Sequence, residues 1–394
     1  MIYFIILILF SVLAYIYDIN KVRAGKEFMY IIELLILISL AGFRYRVGGD
    51  SLAYEDDYQN LPTFSELIKY GFSDLPYQPL WYILNALTKS VSKNFFFFQL
   101  IHAIIINSCI FVFINKYCIH RFTFIVFYFI FLYPYFNFEI LRESIAVVIF
   151  LFAFPLIQEK KYLRYYLLNI LSFLFHPSAL FLFIVPILYF LFKSNTNFLK
   201  LFFVGIIIIL FSSIIVTTLI DHLPLNMFIL AKLEGYTSLE ININGIIVGL
   251  FNLLPVMGIL YLLKKIPINN PNINVILSIY FILTLLSFIV EGSYRLLNYF
   301  SIFFYVILTD YIIYDIGKIY NAIKIYRKGV YKGLQLFILL CIFINKGYYY
   351  TRDMSMYNYG EEAYFYNRYI PYNSIFYPTK DYRRENIYFN YMDK

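Results

Sequence analysis

Two arginines and an aspartate follow one apolar run with a spacing that could bind an anion. Arg44 and Arg46 leave the run, and Gly48 and Gly49 separate them from Asp50. Planar guanidinium groups match phosphate oxygens, and paired glycines let the backbone turn close to a ligand. The alternative is that the arginines anchor a helix end, with Asp50 as their ion-pair partner.

Arg142 is placed near the start of a second apolar run, after the stretch Asn137-Phe138-Glu139-Ile140-Leu141. Asn137 is predicted to be the N-cap of the helix. An arginine in the first turn, with the helix N-terminus behind it, would bind an anion strongly. The alternative is an i, i+3 ion pair between Glu139 and Arg142.

His176 and Arg295 complete the candidate residues. His176 precedes Pro177 at a break between two apolar runs, where it could act as a general base or donate to a phosphate. The other reading is a structural histidine at a turn. Arg295 follows Glu291 at the start of another run, either as an anion ligand or as an anchor paired with that glutamate.

Composition defines the class of protein that must position these residues. The 394 residues are 61% hydrophobic, 22% aromatic and only 14% charged, with a mean hydropathy of +0.70. Soluble domains carry about a quarter charged residues, so a soluble multidomain enzyme and a disordered chain are excluded. The three cysteines have no ligand spacing and are read as buried thiols. We predict an all-α, polytopic membrane protein.

Twelve apolar segments approach the length of a membrane-spanning helix, which is about 20 residues. The first is read as a helix rather than a cleaved signal peptide, because it lacks a basic start and a small-residue cleavage site. A thirteenth segment, 79–92, is short and is predicted to be re-entrant or interfacial. The predicted spans are 2–17, 28–43, 95–114, 120–134, 137–157, 162–175, 177–192, 198–220, 245–263, 273–290, 294–316 and 331–346.

The distribution of positive charge favours an N-terminus outside the cell. With twelve spans, the cytoplasmic loops hold 17 lysines and arginines, against eight on the outer side before the C-terminal tail. The net charge of +8 therefore reflects membrane orientation rather than nucleic-acid binding. If 79–92 spans and the N-terminus is inside, the cytoplasmic total is again 17, so charge alone leaves both topologies open.

The twelve-span topology places the unusual polar residues on one face. We expect a membrane domain over 1–346 with outer loops at 44–94, rich in acidic residues, and at 221–244. The tail, 347–394, is expected outside the membrane, where its aromatic residues pack on the membrane surface or on the loops. Arginines outnumber acids among the candidate residues, which suggests a multiply charged anion carried by a lipid, such as a polyprenyl diphosphate.

The ordered blocks resemble the EpsG-like, Wzy-type polymerases of bacterial exopolysaccharide, capsule and O-antigen. One departure concerns Gln78, because such sequences often have an acidic residue before the following proline. The blocks that carry the resemblance are Phe43-Arg44 through Gly49-Asp50 with Tyr54, Leu141-Arg142-Glu143-Ser144-Ile145-Ala146, Lys160-Lys161 with Phe175-His176-Pro177-Ser178-Ala179-Leu180, Arg295, and Pro371-Tyr372-Asn373-Ser374-Ile375-Phe376.

The resemblance implies a multi-pass glycosyltransferase of the bacterial cytoplasmic (inner) membrane with its active face outside. Undecaprenyl-diphosphate-linked oligosaccharides would be both donor and acceptor, and a chain-length regulator is a candidate partner. No cofactor, metal or nucleic acid is expected. In this reading Asp50, His176 and Arg142 are catalytic, and the diphosphate is bound by Arg44, Arg46, Tyr54, Arg142 and Arg295.

Two other classes remain alternatives. A flippase for lipid-linked oligosaccharides would gather charges at mid-helix, where Glu33 is the main one in this sequence. A membrane O-acyltransferase would use His176 as its base and would need an acyl donor from the cytoplasm. The predicted topology puts the candidate residues on the opposite side from that donor.

Overall fold

The computed structural model describes residues 2–71, 77–193, 243–263, 271–287, 293–314, 325–351, 357–359, 362–364 and 368–379. The chain forms two compact units, Met1–Leu180 with Lys346–Lys394, and Phe181–Asn345. The candidate residues of the first 180 positions all belong to the first unit, whereas Arg295 belongs to the second.

The described residues are mainly helical, with one short hairpin near the C-terminus. The elements are α1 (Ile2–Ala14), α2 (Lys26–Gly42), α3 (Ser51–Asn60), α4 (Phe64–Tyr70), α5 (Pro79–Val91), α6 (Phe95–Tyr117), α7 (Arg121–Phe131), α8 (Leu141–Gln158), α9 (Tyr162–Phe173), α10 (Val185–Phe192), α11 (Ile243–Leu263), α12 (Pro271–Leu286), α13 (Tyr294–Ile307), α14 (Ile325–Thr351), β1 (Tyr357–Tyr359) and β2 (Glu362–Tyr364). A 3₁₀ helix, Pro177–Ile184, precedes α10, and π-helical turns lie at Tyr15–Ile19, Tyr135–Glu139 and Leu308–Tyr314.

Helices coincide with the predicted spans wherever the structure describes them. Span 198–220 lies outside the described residues, so the count of twelve stays a prediction. Among the described residues, Ile2–Ile19, Phe95–Tyr117 and Leu141–Gln158 are long and apolar enough to cross a membrane. The short segment 79–92 forms α5, a helix of 13 residues.

Three helix pairs build the first unit: α1 with α7, α2 with α6, and α8 with α9. Aromatic side chains of these helices, such as Phe10, Phe98 and Phe150, are completely buried. Leu9, Val112 and Leu163 are exposed apolar residues of the same helices, as expected of side chains that face lipid.

A buried polar network holds the chain between α7 and α8. The Asn107 amide donates to Asn137 Oδ1 at 2.8 Å, Asn137 donates to the Tyr128 hydroxyl at 3.0 Å, and Tyr128 donates back to Asn107 at 3.1 Å. Buried polar groups are costly unless they are paired. This closed network therefore stabilises the π-helical turn that ends just before Arg142.

One sequence prediction about this region is wrong. Asn137 is not the N-cap of α8, because its side chain is buried in the network and the helix begins after Ile140. The segment 44–94, which is predicted to be an outer loop, contains α3, α4 and α5. A capping box between Thr63 and Glu66 begins α4, and the mixed acidic and aromatic composition of α3 concealed its helical structure.

The second unit contains α10 to α13 and most of α14. Tyr280 of α12 stacks on Phe304 of α13 with ring centroids 4.5 Å apart. Tyr189 of α10 donates to Asn272 of α12 at 3.2 Å. These contacts combine aromatic packing with single polar links between helices, which is typical of helices packed in a membrane.

Candidate active site

Arg142 lies in the first turn of α8, where a helix N-terminus favours negative charge. Its guanidinium stacks on the ring of Tyr77, with Cζ 4.1 Å from the centroid, and its positive charge acts on the Tyr54 hydroxyl, where it opposes the rise in pKa that burial causes. The preceding Ile140 makes no side-chain cap. A charged donor and a helix N-terminus are thus available together for an anion.

A carboxylate that the sequence analysis did not select lies beside Arg142. The Tyr77 hydroxyl donates to Asp57 Oδ2 at 2.9 Å. Burial raises the pKa of Asp57, although the Tyr77 hydrogen bond and the charge of Arg142 favour its ionised form. Burial also raises the pKa of Tyr77 to about 12, so this hydroxyl keeps its proton at neutral pH.

One face of α3 presents three polar side chains to this region. Asp50 is the N-cap residue, and Tyr54 and Asp57 follow at i+4 and i+7, so the three lie on the same side of the helix. The Tyr54 ring packs on Trp81 at 5.9 Å, and burial raises the pKa of its hydroxyl. Asp50 is exposed at the mouth of the cluster.

Several buried polar atoms around the cluster make no hydrogen bond in the structure. They are Arg142 Nε, Gln78 Oε1 and Trp81 Nε1. Residues 77 and 78 are adjacent in the chain, and Trp81 contacts Tyr54, so the three atoms belong to one neighbourhood. Orphaned buried donors and acceptors of this kind indicate a place where a polar ligand or water binds.

His176 lies at the level of Arg142 along the bundle. α9 runs antiparallel to α8, and the Ser172 hydroxyl donates to the Ala146 carbonyl at 2.8 Å. His176 is four residues beyond Ser172, and Arg142 is four residues before Ala146, a shift of about 6 Å in both helices. As predicted, Pro177 begins a helix, here a 3₁₀ helix.

The hydrogen bonds of His176 favour one tautomer. The Ser178 backbone N–H donates to its Nδ1 at 3.3 Å, and the Ser178 hydroxyl lies 2.6 Å from the same atom. Since Nδ1 accepts, the neutral ring carries its proton on Nε2. That arrangement suits a donor to phosphate better than a base.

Arg44 is enclosed rather than open. Its side chain is completely buried, donates to the Ala41 carbonyl at 2.6 Å, and lies 5.0 Å from the Phe138 ring centroid. Its Nε and Nη2 make no hydrogen bond. In this conformation Arg44 caps the end of α2.

Two ion pairs were not suggested by the sequence. Arg46 pairs with Glu55, with Nε 2.8 Å from Oε2. Glu139 pairs with Arg368 at 3.0 Å, whereas the sequence suggested Arg142 as its partner. The pair of Glu139 and Arg368 joins distant parts of the chain and therefore depends on the fold.

The segment 368–379, which we call the C-terminal strap, packs onto the loop after α2. The Gly48 N–H donates to the Arg368 carbonyl, and the Tyr45 N–H donates to the Asn373 carbonyl, both at 2.8 Å. Tyr369 donates to Glu139 at 2.5 Å. The expectation that the tail packs on the loops is confirmed for this segment.

Arg295 lies in the first turn of α13 and is half-buried. Its expected partner Glu291 and the loop 221–242 lie outside the described residues. Among the residues that the structure describes, no three His, Cys, Asp or Glu side chains are grouped so that they could hold a metal ion.

The structure thus brings together Arg142, Tyr54 and Asp50, with His176 at the same level, and adds Asp57 and Tyr77. No local sequence motif marks Asp57 and Tyr77, because the hydrogen bond between them joins positions 20 residues apart. A helical membrane protein with a basic, aromatic-lined polar site is the class that this fold and site define.

The EpsG family model matches residues 27–374, and the chain belongs to the EpsG family. Membership indicates a membrane protein of the polysaccharide-polymerase type. No curated protein and no solved structure matches the chain.

Proposed function

We propose that this protein polymerises undecaprenyl-diphosphate-linked oligosaccharide repeat units into a surface polysaccharide on the outer face of the cytoplasmic membrane. The observation that carries the proposal is Arg142, a half-buried guanidinium at a helix N-terminus beside unsatisfied polar atoms. Its surroundings are those of an anion-binding site, and membership of the EpsG family makes a lipid diphosphate the natural anion.

In the proposed reaction, a sugar hydroxyl of the acceptor attacks the anomeric carbon of the donor, and undecaprenyl diphosphate leaves. Negative charge develops on the leaving diphosphate, and fixed positive charge and N–H donors stabilise it. Arg142 and the first turn of α8 are the proposed ligands, with His176 Nε2 as a further donor. Tyr54, whose hydroxyl is under the influence of the Arg142 charge, is a further proposed ligand of the diphosphate.

The other sequence-selected residues have different proposed roles. Arg46 is held by Glu55 and would contact the anion only by exchanging that partner. Arg44 would act through its buried donors. Asp50 is exposed at the mouth and is a candidate to receive the acceptor proton or to bind its sugar. Arg295 stays a proposed ligand, and a chain-length regulator stays a proposed partner.

The first test is the size distribution of the surface polysaccharide. A deletion strain would be complemented with the wild-type chain, with Arg142→Ala and with Arg142→Lys. We expect Arg142→Ala to reduce long chains to single repeats, with a loss of at least about 100-fold in elongation, as for other groups that bind transition-state charge. Arg142→Lys should recover only part of the activity, because lysine lacks the planar fork.

Arg164→Ala is the matched control, because this arginine is exposed on α9 and should leave chain length unchanged. Complete loss of surface glycan with repeats trapped on the inner face would instead favour a flippase. Full-length chains that lack only an acyl group would favour an O-acyltransferase. Wild-type chain lengths from Arg142→Ala would contradict the proposed role of this arginine.

A further inference from the structure

Asp57 lies in the site but has no role so far in the proposed reaction. Its carboxylate accepts from the Tyr77 hydroxyl at 2.9 Å, and the ring of that tyrosine carries the Arg142 guanidinium at 4.1 Å. Tyr77 therefore contacts Asp57 through its hydroxyl group and Arg142 through the face of its ring. The three side chains come from α3, from the chain just before α5, and from α8.

The neighbours of Asp57 set its basicity. The titratable and charged groups that face it are Tyr77 before α5, Tyr82 of α5 and Arg142 of α8, with Asp56 beside it on α3. Burial raises the pKa of Asp57, and Tyr77 and Arg142 oppose that effect by stabilising the anion. A raised pKa makes this carboxylate a stronger base than an exposed aspartate, and the Tyr77 hydrogen bond and the Arg142 charge favour its ionised form.

Asp50 and Asp57 differ in their exposure to water. Asp50 is exposed to water at the N-terminus of α3. Asp57 lies seven residues later on the same face, half-buried and fixed by a hydrogen bond. A base works best when its position is fixed relative to the reacting groups, and the Tyr77 contact fixes Asp57 relative to Arg142.

We propose that Asp57 is the general base of the elongation reaction and that Tyr77 positions it, an inference that rests on the proposed function. The acceptor hydroxyl oxygen forms the new bond to the anomeric carbon while its proton passes to the Asp57 carboxylate. The bond between the anomeric carbon and the phosphate oxygen breaks, and its electron pair leaves with undecaprenyl diphosphate. Asp57 then returns the proton to water.

The test uses the full chain in lipid nanodiscs and lipid-linked repeat units extracted from the deletion strain. Asp57→Asn should lower the elongation rate by about 100-fold or more, the usual size of a general-base contribution. Asp57→Glu should recover much of that rate, because it keeps the carboxylate. Glu159→Gln is the matched control, because Glu159 is an exposed carboxylate just after the C-terminus of α8, whereas Arg142 lies in the first turn, and it should elongate at the wild-type rate.

A pH profile separates a base from a structural residue. Tyr77→Phe keeps the ring under Arg142 but removes the hydrogen bond that favours the Asp57 anion, so it should raise the pKa of Asp57. Because the base works only when ionised, the acidic limb of the rate profile should move to higher pH. If the Asp57→Asn protein does not accumulate, the pH profile of Tyr77→Phe is the deciding test. An acidic limb at the same pH as in the wild-type chain would then overturn the proposal.

Asp57→Asn with the wild-type rate and pH profile would likewise overturn it. Failure of the proposed function looks different, because the wild-type chain itself would then not elongate the repeat units. Equal losses in Asp57→Asn and Asp57→Glu with an unchanged acidic limb in Tyr77→Phe would assign Asp57 a purely structural role.

Discussion

Arg44 and Arg142 are the same residue type at helix ends, but their surroundings give them different capacities. Arg44 follows the C-terminus of α2, donates to a carbonyl of its last turn and is covered by Phe138. Arg142 begins α8 and remains half-exposed against Tyr77. The sequence predicted both as anion ligands, since the side chains that cover one and not the other come from distant parts of the chain.

Gly48 shows how closely the backbone must approach for the site to form. Its φ is +117°, and a Cβ atom there would lie 2.8 Å from the Phe138 carbonyl oxygen. The sequence interpretation of Gly48 as a residue of close approach agrees with this geometry. However, the atoms that approach Gly48 belong to Phe138, in the break before α8, whereas the spacing suggested a bound ligand.

Gly48→Ala should therefore destabilise the protein and shorten the polysaccharide. A positive-φ position costs a non-glycine residue about 1–3 kcal/mol, and the overlap with backbone atoms adds to this. Gly71→Ala is the matched control, because Gly71 has φ +75° but no atom within 4 Å of its Cβ position. Thermal unfolding in detergent should give a lower Tm for Gly48→Ala than for Gly71→Ala, and equal Tm values would contradict the close approach.

The elements show where sequence patterns suffice and where they do not. Hydropathy located the helices α6 and α8, because lipid-facing helices need long apolar runs. It did not locate α3, whose acidic and aromatic residues lack a clear apolar stripe. It placed the break before α8 at 135–136, whereas the π-helical turn extends through Glu139 and α8 begins at Leu141. The added length depends on the buried pairing of Asn107 with Asn137, which no local pattern reveals.

The ion pair between Arg368 and Glu139 links the C-terminal strap to the helix break before α8. The exposed fractions of the two side chains are 24% and 5%, respectively, so water screens the pair only partly. A double-mutant cycle with Arg368→Ala and Glu139→Gln should give a coupling energy of about 0.5–3 kcal/mol, as for other residues in direct contact. Equilibrium unfolding in mixed micelles would measure it.

The pair of Lys161 and Glu159 is the control for this cycle. Its side chains are 48% and 46% exposed, and exposed pairs contribute little because water and salt screen them. We expect no measurable coupling there. If the cycle of Arg368 and Glu139 also showed no measurable coupling, the C-terminal strap would be held by its backbone hydrogen bonds rather than by Arg368.

At the scale of the whole chain, the sequence predicted the class of protein, its family and an orientation with the N-terminus outside, but charge alone does not decide that orientation. Composition alone indicated a helical membrane protein, and the ordered blocks indicated the EpsG family, which the family model confirms. The two topologies carry the same number of cytoplasmic basic residues, so the charge rule cannot choose between them. The decisive question is on which side of the membrane α3 and α4 lie.

Two exposed positions exchange sides between the topologies. With the N-terminus outside, Ser65 of α4 faces the exterior and Arg23 faces the cytoplasm, whereas the opposite topology reverses both. In a variant without Cys109, Cys118 and Cys341, we expect Ser65→Cys to react with a membrane-impermeant maleimide in intact cells. Arg23→Cys should react only after the cells are made permeable.

Lys116→Cys is the control, because position 116 is cytoplasmic in both topologies and should be protected in intact cells. In the opposite topology only the part of the chain before 95 changes sides, so Arg142 stays outside while α3 and Tyr77 become cytoplasmic. Protection of Ser65→Cys together with labelling of Arg23→Cys would therefore separate Asp57 and Tyr77 from Arg142 by the membrane. The contact between Tyr77 and Arg142, and with it the proposed roles of Asp57 and Tyr77 in the site, would then be wrong.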